Sequence, residues 1–88
     1  MINILKFESN SCPQCKALSA TLERITKEYK TDIKSINIEE DNSQDLIRKY
    51  NIRSIPTIIF LNENKEYNRL VGNQSYATIN KIINYDTI

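Results

Sequence analysis

Cys12 and Cys15 stand two residues apart in the stretch SNSCPQCKALS, residues 9–19, and they are the only cysteines in the chain. Three chemistries fit that spacing. The pair can cycle between a disulfide and two thiols, supply half of a metal site, or simply be two small buried residues. The chain has no histidine, which removes Cys–His and Ser–His catalysis and every His-based zinc site. Two cysteines cannot complete a four-ligand structural zinc centre, so zinc would need a second chain or two carboxylates. A lone cysteine is commonly a small core residue. Two of them, after a strand and at the start of a helix, fit a redox motif better.

The chemistry of such a pair depends on where the helix begins. With Cys12 as the N-cap, Pro13 becomes the first helical residue, where its missing N–H is not needed and its fixed φ fits. Cys15 is then the third helical residue, and its backbone N–H points at the Cys12 sulfur. Unpaired N–H groups and the helix dipole favour negative charge there, so Cys12 is expected to become a thiolate more readily than a free cysteine. Cys15, one turn behind and pointing inward, can attack a mixed disulfide on Cys12. Lys16 adds a nearby positive charge.

The elements that must hold this motif can be read from the apolar pattern. INILKFE (2–8), followed by Ser-Asn-Ser, reads as a buried strand and a turn. Cys15, Leu18, Leu22, Ile25 and Tyr29 recur at spacings of three and four, one stripe of an amphipathic helix from Pro13 to about Lys30. DIKSINIEE (32–40) reads as a second strand. DNSQDLIRKYN (41–51) reads as a short helix with Asn42 or Ser43 as N-cap, Arg48 and Lys49 in the last turn, and Asn51 as a left-handed stop. SIPTIIFLN (54–62) and KEYNRLVG (65–72) read as a hairpin, with Asn64 as the positive-φ residue of its NENK turn. Ser75 caps a last helix that carries Ile79, Ile82 and Ile83 on one face. The order is β-α-β-α-β-β-α. A right-handed crossover makes the first two strands parallel neighbours. The final hairpin makes the sheet mixed, with helices on both faces.

Bulk properties narrow the class. Eighty-eight residues form a single domain, 1–88, whose core rests on 15 isoleucines. The charged residues are mixed in sign and sum to +1, so nucleic acid is not indicated. No apolar run approaches a membrane span. The opening MINILKFES lacks a basic region and is too short for an export signal, so a cytoplasmic location is expected, where structural disulfides rarely persist.

Pro56 supplies a second constellation. A proline at a strand start is by itself an ordinary strand-edge residue. IRSIPT, however, leads into a strand expected beside the first one, near the Cys-x-x-Cys turn. A cis Ile55–Pro56 bond there would leave the Ile55 backbone free to pair with an extended peptide next to Cys12.

The first strand, SCPQCK, IRSIPT, the hairpin, VGNQS and a last helix together resemble the thioredoxin family over nearly the whole chain, without the extra N-terminal strand and helix of full-length members. The resemblance implies a minimal thioredoxin fold of the α/β class, a four-stranded mixed sheet flanked by three helices. It implies a thiol–disulfide oxidoreductase that reduces protein disulfides, with Cys12 as attacking nucleophile and Cys15 as resolving cysteine. Pro13, Gln14, Ile55, Pro56 (the cis-proline), Thr57, Val71 and Gly72 would line the substrate groove. Gly72, the only glycine, fits a need for close backbone approach or an ordinary turn. No metal or cofactor is implied. The implied partners are disulfide-containing proteins, ribonucleotide reductase among them by analogy, and an NADPH-dependent thioredoxin reductase acting on a monomer. Two alternatives stand beside this: a glutaredoxin-like protein reduced by glutathione, and a structural subunit with idle cysteines.

The chain departs from the family pattern at several places. Pro-Gln separates the cysteines where Gly-Pro is common, and Ser11 stands where a tryptophan usually does. A proline directly after the first cysteine is similar to glutaredoxins. Lys6 falls where the family keeps a buried acid, and Ser35 where a lysine often partners it. If the Lys6 ammonium reaches the cysteines, it favours thiolate over thiol and makes the disulfide more oxidising. If Lys6 instead snorkels to solvent or pairs with Glu8, which points to the same side of the strand, its charge is muted.

Overall fold

A computed structural model describes residues 2–87, with side chains through residue 84. Its elements run β1 (Ile2–Glu8), α1 (Pro13–Tyr29), β2 (Asp32–Asn37), a 3-10 turn (Asp41–Ser43) leading into α2 (Gln44–Lys49), β3 (Thr57–Asn62), β4 (Lys65–Val71) and α3 (Tyr76–Thr87). The sheet order is β2-β1-β3-β4. β1 runs parallel to β2 and antiparallel to β3, and β3–β4 is the expected hairpin.

The central strands β1 and β3 are buried on both faces, which explains why they read as continuous apolar runs. Ile2 and Ile4 of β1 and Ile58 and Phe60 of β3 turn to one face, where Leu18, Leu22 and Ile25 of α1 and Ile79 and Ile83 of α3 close over them. Leu5, Phe7, Ile59 and Leu61 turn to the other face, where Leu46 and Ile47 of α2 cover them together with Tyr50 and Ile52. The period-two alternation of a strand thus divides one apolar stretch between two cores. On the outer side of the first core α1 and α3 are tied together. Tyr76 donates to Glu28, Arg24 lies 3.9 Å over the Tyr76 ring, and Tyr29 donates to Asn80.

Local signals behaved largely as their chemistry requires. Lys30 ends α1 in the left-handed conformation, and Asn51 does the same after α2. The hairpin turn places both Glu63 and Asn64 at positive φ, not Asn64 alone, as a tight two-residue connection demands. The Ser75 hydroxyl accepts from the Thr78 N–H and caps α3. Three expectations need correction. β2 stops at Asn37, because Asn37 starts a turn in which its side chain accepts from Glu39 N. β3 begins at Thr57, after the proline, and not at Ser54. Neither Asn42 nor Ser43 caps α2 through its side chain; Ser43 is instead buried and donates to the Asn37 carbonyl. The 3-10 turn takes over the start of that helix.

Leu18 has no exposed surface and sits at the centre of the α1–α3 core. Leu18→Ala is expected to cost about 2–5 kcal/mol, a large share of the stability of a small domain. Lys27→Ala, on the exposed side of α1, should stay within about 0.5 kcal/mol. Urea unfolding midpoints of the two variants check the contrast.

Candidate active site

The start of α1 has the geometry its sequence calls for. Cys12 is the N-cap with extended backbone angles (φ −113°, ψ 101°), and Pro13 opens the helix. The Cys15 N–H donates to Cys12 Sγ at 3.1 Å, and Lys16 N–H donates to the Cys12 carbonyl at 3.2 Å. Cys12 and Cys15 are joined as a disulfide, their Cα atoms 5.2 Å apart. Cys15 is 1% exposed and Cys12 9%. The contrast has the expected sense, yet Cys12 itself is mostly covered. Pro13, Gln14 and Lys16 lie open to solvent around the pair.

The loop before the cysteines is anchored from the side. Asn10 N–H donates to Glu39, and the Asn37 amide donates to the Asn10 side chain at 3.0 Å. These bonds tie residue 10 to the far end of β2. No local pattern marks Asn10, Asn37 or Glu39; the loop after β1 and the turn after β2 meet only once those strands are paired.

β1 and β3 are antiparallel, so the end of β1 that leads to Cys12 lies beside the beginning of β3, with Phe7 opposite Thr57. The Ile55–Pro56 peptide is cis, as the sequence led us to expect, and Pro56 is buried. β4 returns to the same sheet end with Val71 opposite Thr57. Gly72 N–H donates to the Pro56 carbonyl at 2.8 Å, and the Thr57 hydroxyl donates to the Ser54 carbonyl. Ile55, Pro56, Thr57, Val71 and Gly72 are therefore gathered at the sheet end from which the cysteine turn departs. Val71 is 53% exposed, the one large apolar side chain left open among the described residues.

Gly72 is required for a reason other than crowding. A Cβ built there meets nothing within 4 Å, so the chain itself makes no close approach. Its φ of +87° is what an L-side chain resists.

Beneath the cysteines lies Lys6, and it does not snorkel to solvent. It is 2% exposed. Its ammonium donates to the Cys15 carbonyl at 2.9 Å and to the Ser19 hydroxyl, and it lies 2.7 Å from a Glu8 carboxylate oxygen. The pairing with Glu8 is one of the outcomes weighed from the sequence. Ser19 was missed; its place four residues after Cys15, one helical turn on the same side, was the available signal.

The thioredoxin family model matches residues 1–85. Thioredoxin-1 of Drosophila yakuba is 29% identical over 77 residues, 88% of this chain and 72% of that protein. The thioredoxin of Borreliella burgdorferi is 34% identical over 58 residues, 66% of this chain and 50% of that protein. Among solved structures, a mutant thioredoxin from Halobacterium salinarum is similar with a TM-score of 0.85 at 21% identity, over 93% of this chain and 71% of that one. A malarial protein reaches 0.86 at 22% identity, over 100% of this chain and 99% of that one. A mixed four-stranded sheet with a Cys-x-x-Cys disulfide at the first helix start thus defines a thiol–disulfide oxidoreductase. The chain belongs to the thioredoxin family.

The Gly72 angle yields a direct test. Gly72→Ala is expected to lower stability by about 1–2 kcal/mol, the left-handed backbone cost of an L-residue, while Gly72→Asn loses less. Denaturant midpoints measure both, and an unchanged midpoint for the alanine variant would exclude the backbone explanation.

Proposed function

We propose that this protein reduces protein disulfides, with Cys12 as nucleophile and Cys15 as resolving cysteine. The observation that carries the assignment is the hydrogen bond from Cys15 N–H to Cys12 Sγ at the first turn of α1, together with the near-complete burial of Cys15. A Cys12 thiolate is favoured at a helix start. It attacks one sulfur of a substrate disulfide, forming a mixed disulfide and releasing the other sulfur as a thiolate. Cys15, deprotonated, then attacks Cys12 Sγ. The second substrate sulfur leaves, and the Cys12–Cys15 disulfide holds the bond that the substrate has lost. Two electrons pass to the substrate, and its thiolates take up protons from Cys15 and solvent.

The substrate segment would lie extended along Ile55–Thr57, where strand-like pairing with backbone groups accepts many sequences. Val71 offers an apolar contact, Gly72 leaves its side open, and Pro13 and Gln14 form the opposite rim. This arrangement suits disulfide-bearing protein segments, ribonucleotide reductase being one candidate. We assign re-reduction to an NADPH-dependent thioredoxin reductase, and the reaction to a monomer in a reducing compartment such as the cytoplasm.

An insulin disulfide-reduction assay run with each reducing system decides the reductant. Turnover with NADPH and thioredoxin reductase, and little with glutathione and its reductase, is the expected result. The reverse preference identifies a glutathione-linked protein. After reduction, Cys12 should alkylate much faster than Cys15, and Cys15→Ser should accumulate mixed disulfides with insulin chains while Cys12→Ser does not. Equal alkylation rates would remove the division of roles.

A further inference from the structure

The buried charge beneath the cysteines has no part in the exchange steps just described. An ammonium has three hydrogens to donate. The Lys6 ammonium has three acceptors around it: the Cys15 carbonyl, the Ser19 hydroxyl and the Glu8 carboxylate. Ser19 in turn donates to the same Cys15 carbonyl at 3.1 Å. The cation is thus held in one place, against the main chain of the residue whose sulfur must carry or share negative charge when the disulfide is reduced. Glu8 is the anion in this cluster, and at 26% exposure it joins the buried site to solvent.

A buried cation next to a reduced dithiol favours thiolate and therefore the reduced state. Its effect depends on whether a counter-charge stands beside it, because a tight ion pair presents a dipole where a lone ammonium presents a full charge. We propose that Glu8 is a positioning residue that sets the dithiol–disulfide equilibrium of the Cys12–Cys15 pair by neutralising Lys6. Glu8 touches neither sulfur through any bond described above; it acts through Lys6. The proposal rests on the redox role of the two cysteines.

The pair of substitutions that separates this role from a structural one is E8Q, alone and in combination with K6M. The wild-type protein and each variant are equilibrated with reduced and oxidised glutathione, and the dithiol fraction is read from the mass added by alkylation. In that equilibrium two glutathione thiols give up two electrons and become glutathione disulfide, and the protein disulfide becomes two thiols. With Glu8 replaced by its neutral isostere, the uncompensated ammonium should shift the constant toward the dithiol by about tenfold, equivalent to about 30 mV for a two-electron couple. In K6M/E8Q both charges are gone and the constant should return to within about threefold of wild type, an allowance for the screening of partly exposed charge. K6M alone should lie in the same narrow range. E8D keeps the charge with a shorter reach and should shift the constant toward the dithiol by about threefold, a measurement that stands even if E8Q does not fold. The proposal is overturned if E8Q, or E8D in its absence, leaves the equilibrium within about twofold of wild type, or if K6M/E8Q is displaced as far as E8Q. Failure of the wild type to reduce insulin with either reducing system would instead refute the proposed function, and leaves the glutathione equilibrium readable on its own.

Discussion

The start of α1 is the constraint on which the other features of this protein depend. An N-cap must have extended backbone angles and an acceptor for a free N–H, and Cys12 supplies both with a sulfur. That bond determines which residue is the third of the helix, and hence that Cys15 faces the sheet in the same stripe as Leu18, Leu22 and Ile25. Shifting the helix start by one residue would rotate every one of those side chains by about 100° about the helix axis. The apolar stripe and the disulfide therefore enforce each other. The core cannot pack unless Cys15 is inside, and with Cys15 inside its sulfur meets that of Cys12 across one turn.

The placement of Lys6 shows how a charge is accommodated where the strand pattern calls for an apolar residue. Lys6 follows Ile2 and Ile4 on the face of β1 that α1 covers, so burial is imposed on it by register. A buried ammonium without acceptors is costly, and one fully hydrogen-bonded with an anion at hand is tolerable. The acceptors come from two sources. Glu8 lies two residues along the same strand face, and Ser19 with the Cys15 carbonyl comes from the helix packed above. The cluster consequently links the sheet to the helix start through polar contacts.

The far side of the site is built by sheet geometry. Antiparallel pairing of β1 with β3 and of β3 with β4 returns three strand ends to one place. Pro56 contributes its carbonyl to Gly72 N–H, which joins the proline turn to the end of β4. Val71, Gly72 and the residues around Pro56 are distant in sequence from Cys12, and the sheet alone makes them neighbours of the cysteine turn.

Much of this was written in local pattern. The three-and-four spacing from Cys15 to Tyr29, Pro13 directly after a capping residue, the tight NENK turn and Ser75 before the last helix are signals carried within a few residues, and each produced its element. Such signals depend on backbone stereochemistry and on nearby donors and acceptors, so a single stretch of chain contains them. Where the signals were weak, boundaries moved: the turn at Asn37 ended β2 early, and the 3-10 turn displaced a side-chain cap at α2. The partners of Lys6 belong to a different category. From the strand alone its ammonium had three destinations, solvent, Glu8 or the sulfurs. Choosing among them required the distance between β1 and α1, which the packing of Ile4 against Leu18 and its neighbours sets. Likewise only the folded chain shows that Gly72 answers to a backbone angle and not to a crowded neighbour. The sequence by itself determined the motif, the order of elements and the helix start that brings Cys12 and Cys15 together. Tertiary structure decided which charges meet beneath it, because that depends on separations between segments that no local pattern encodes.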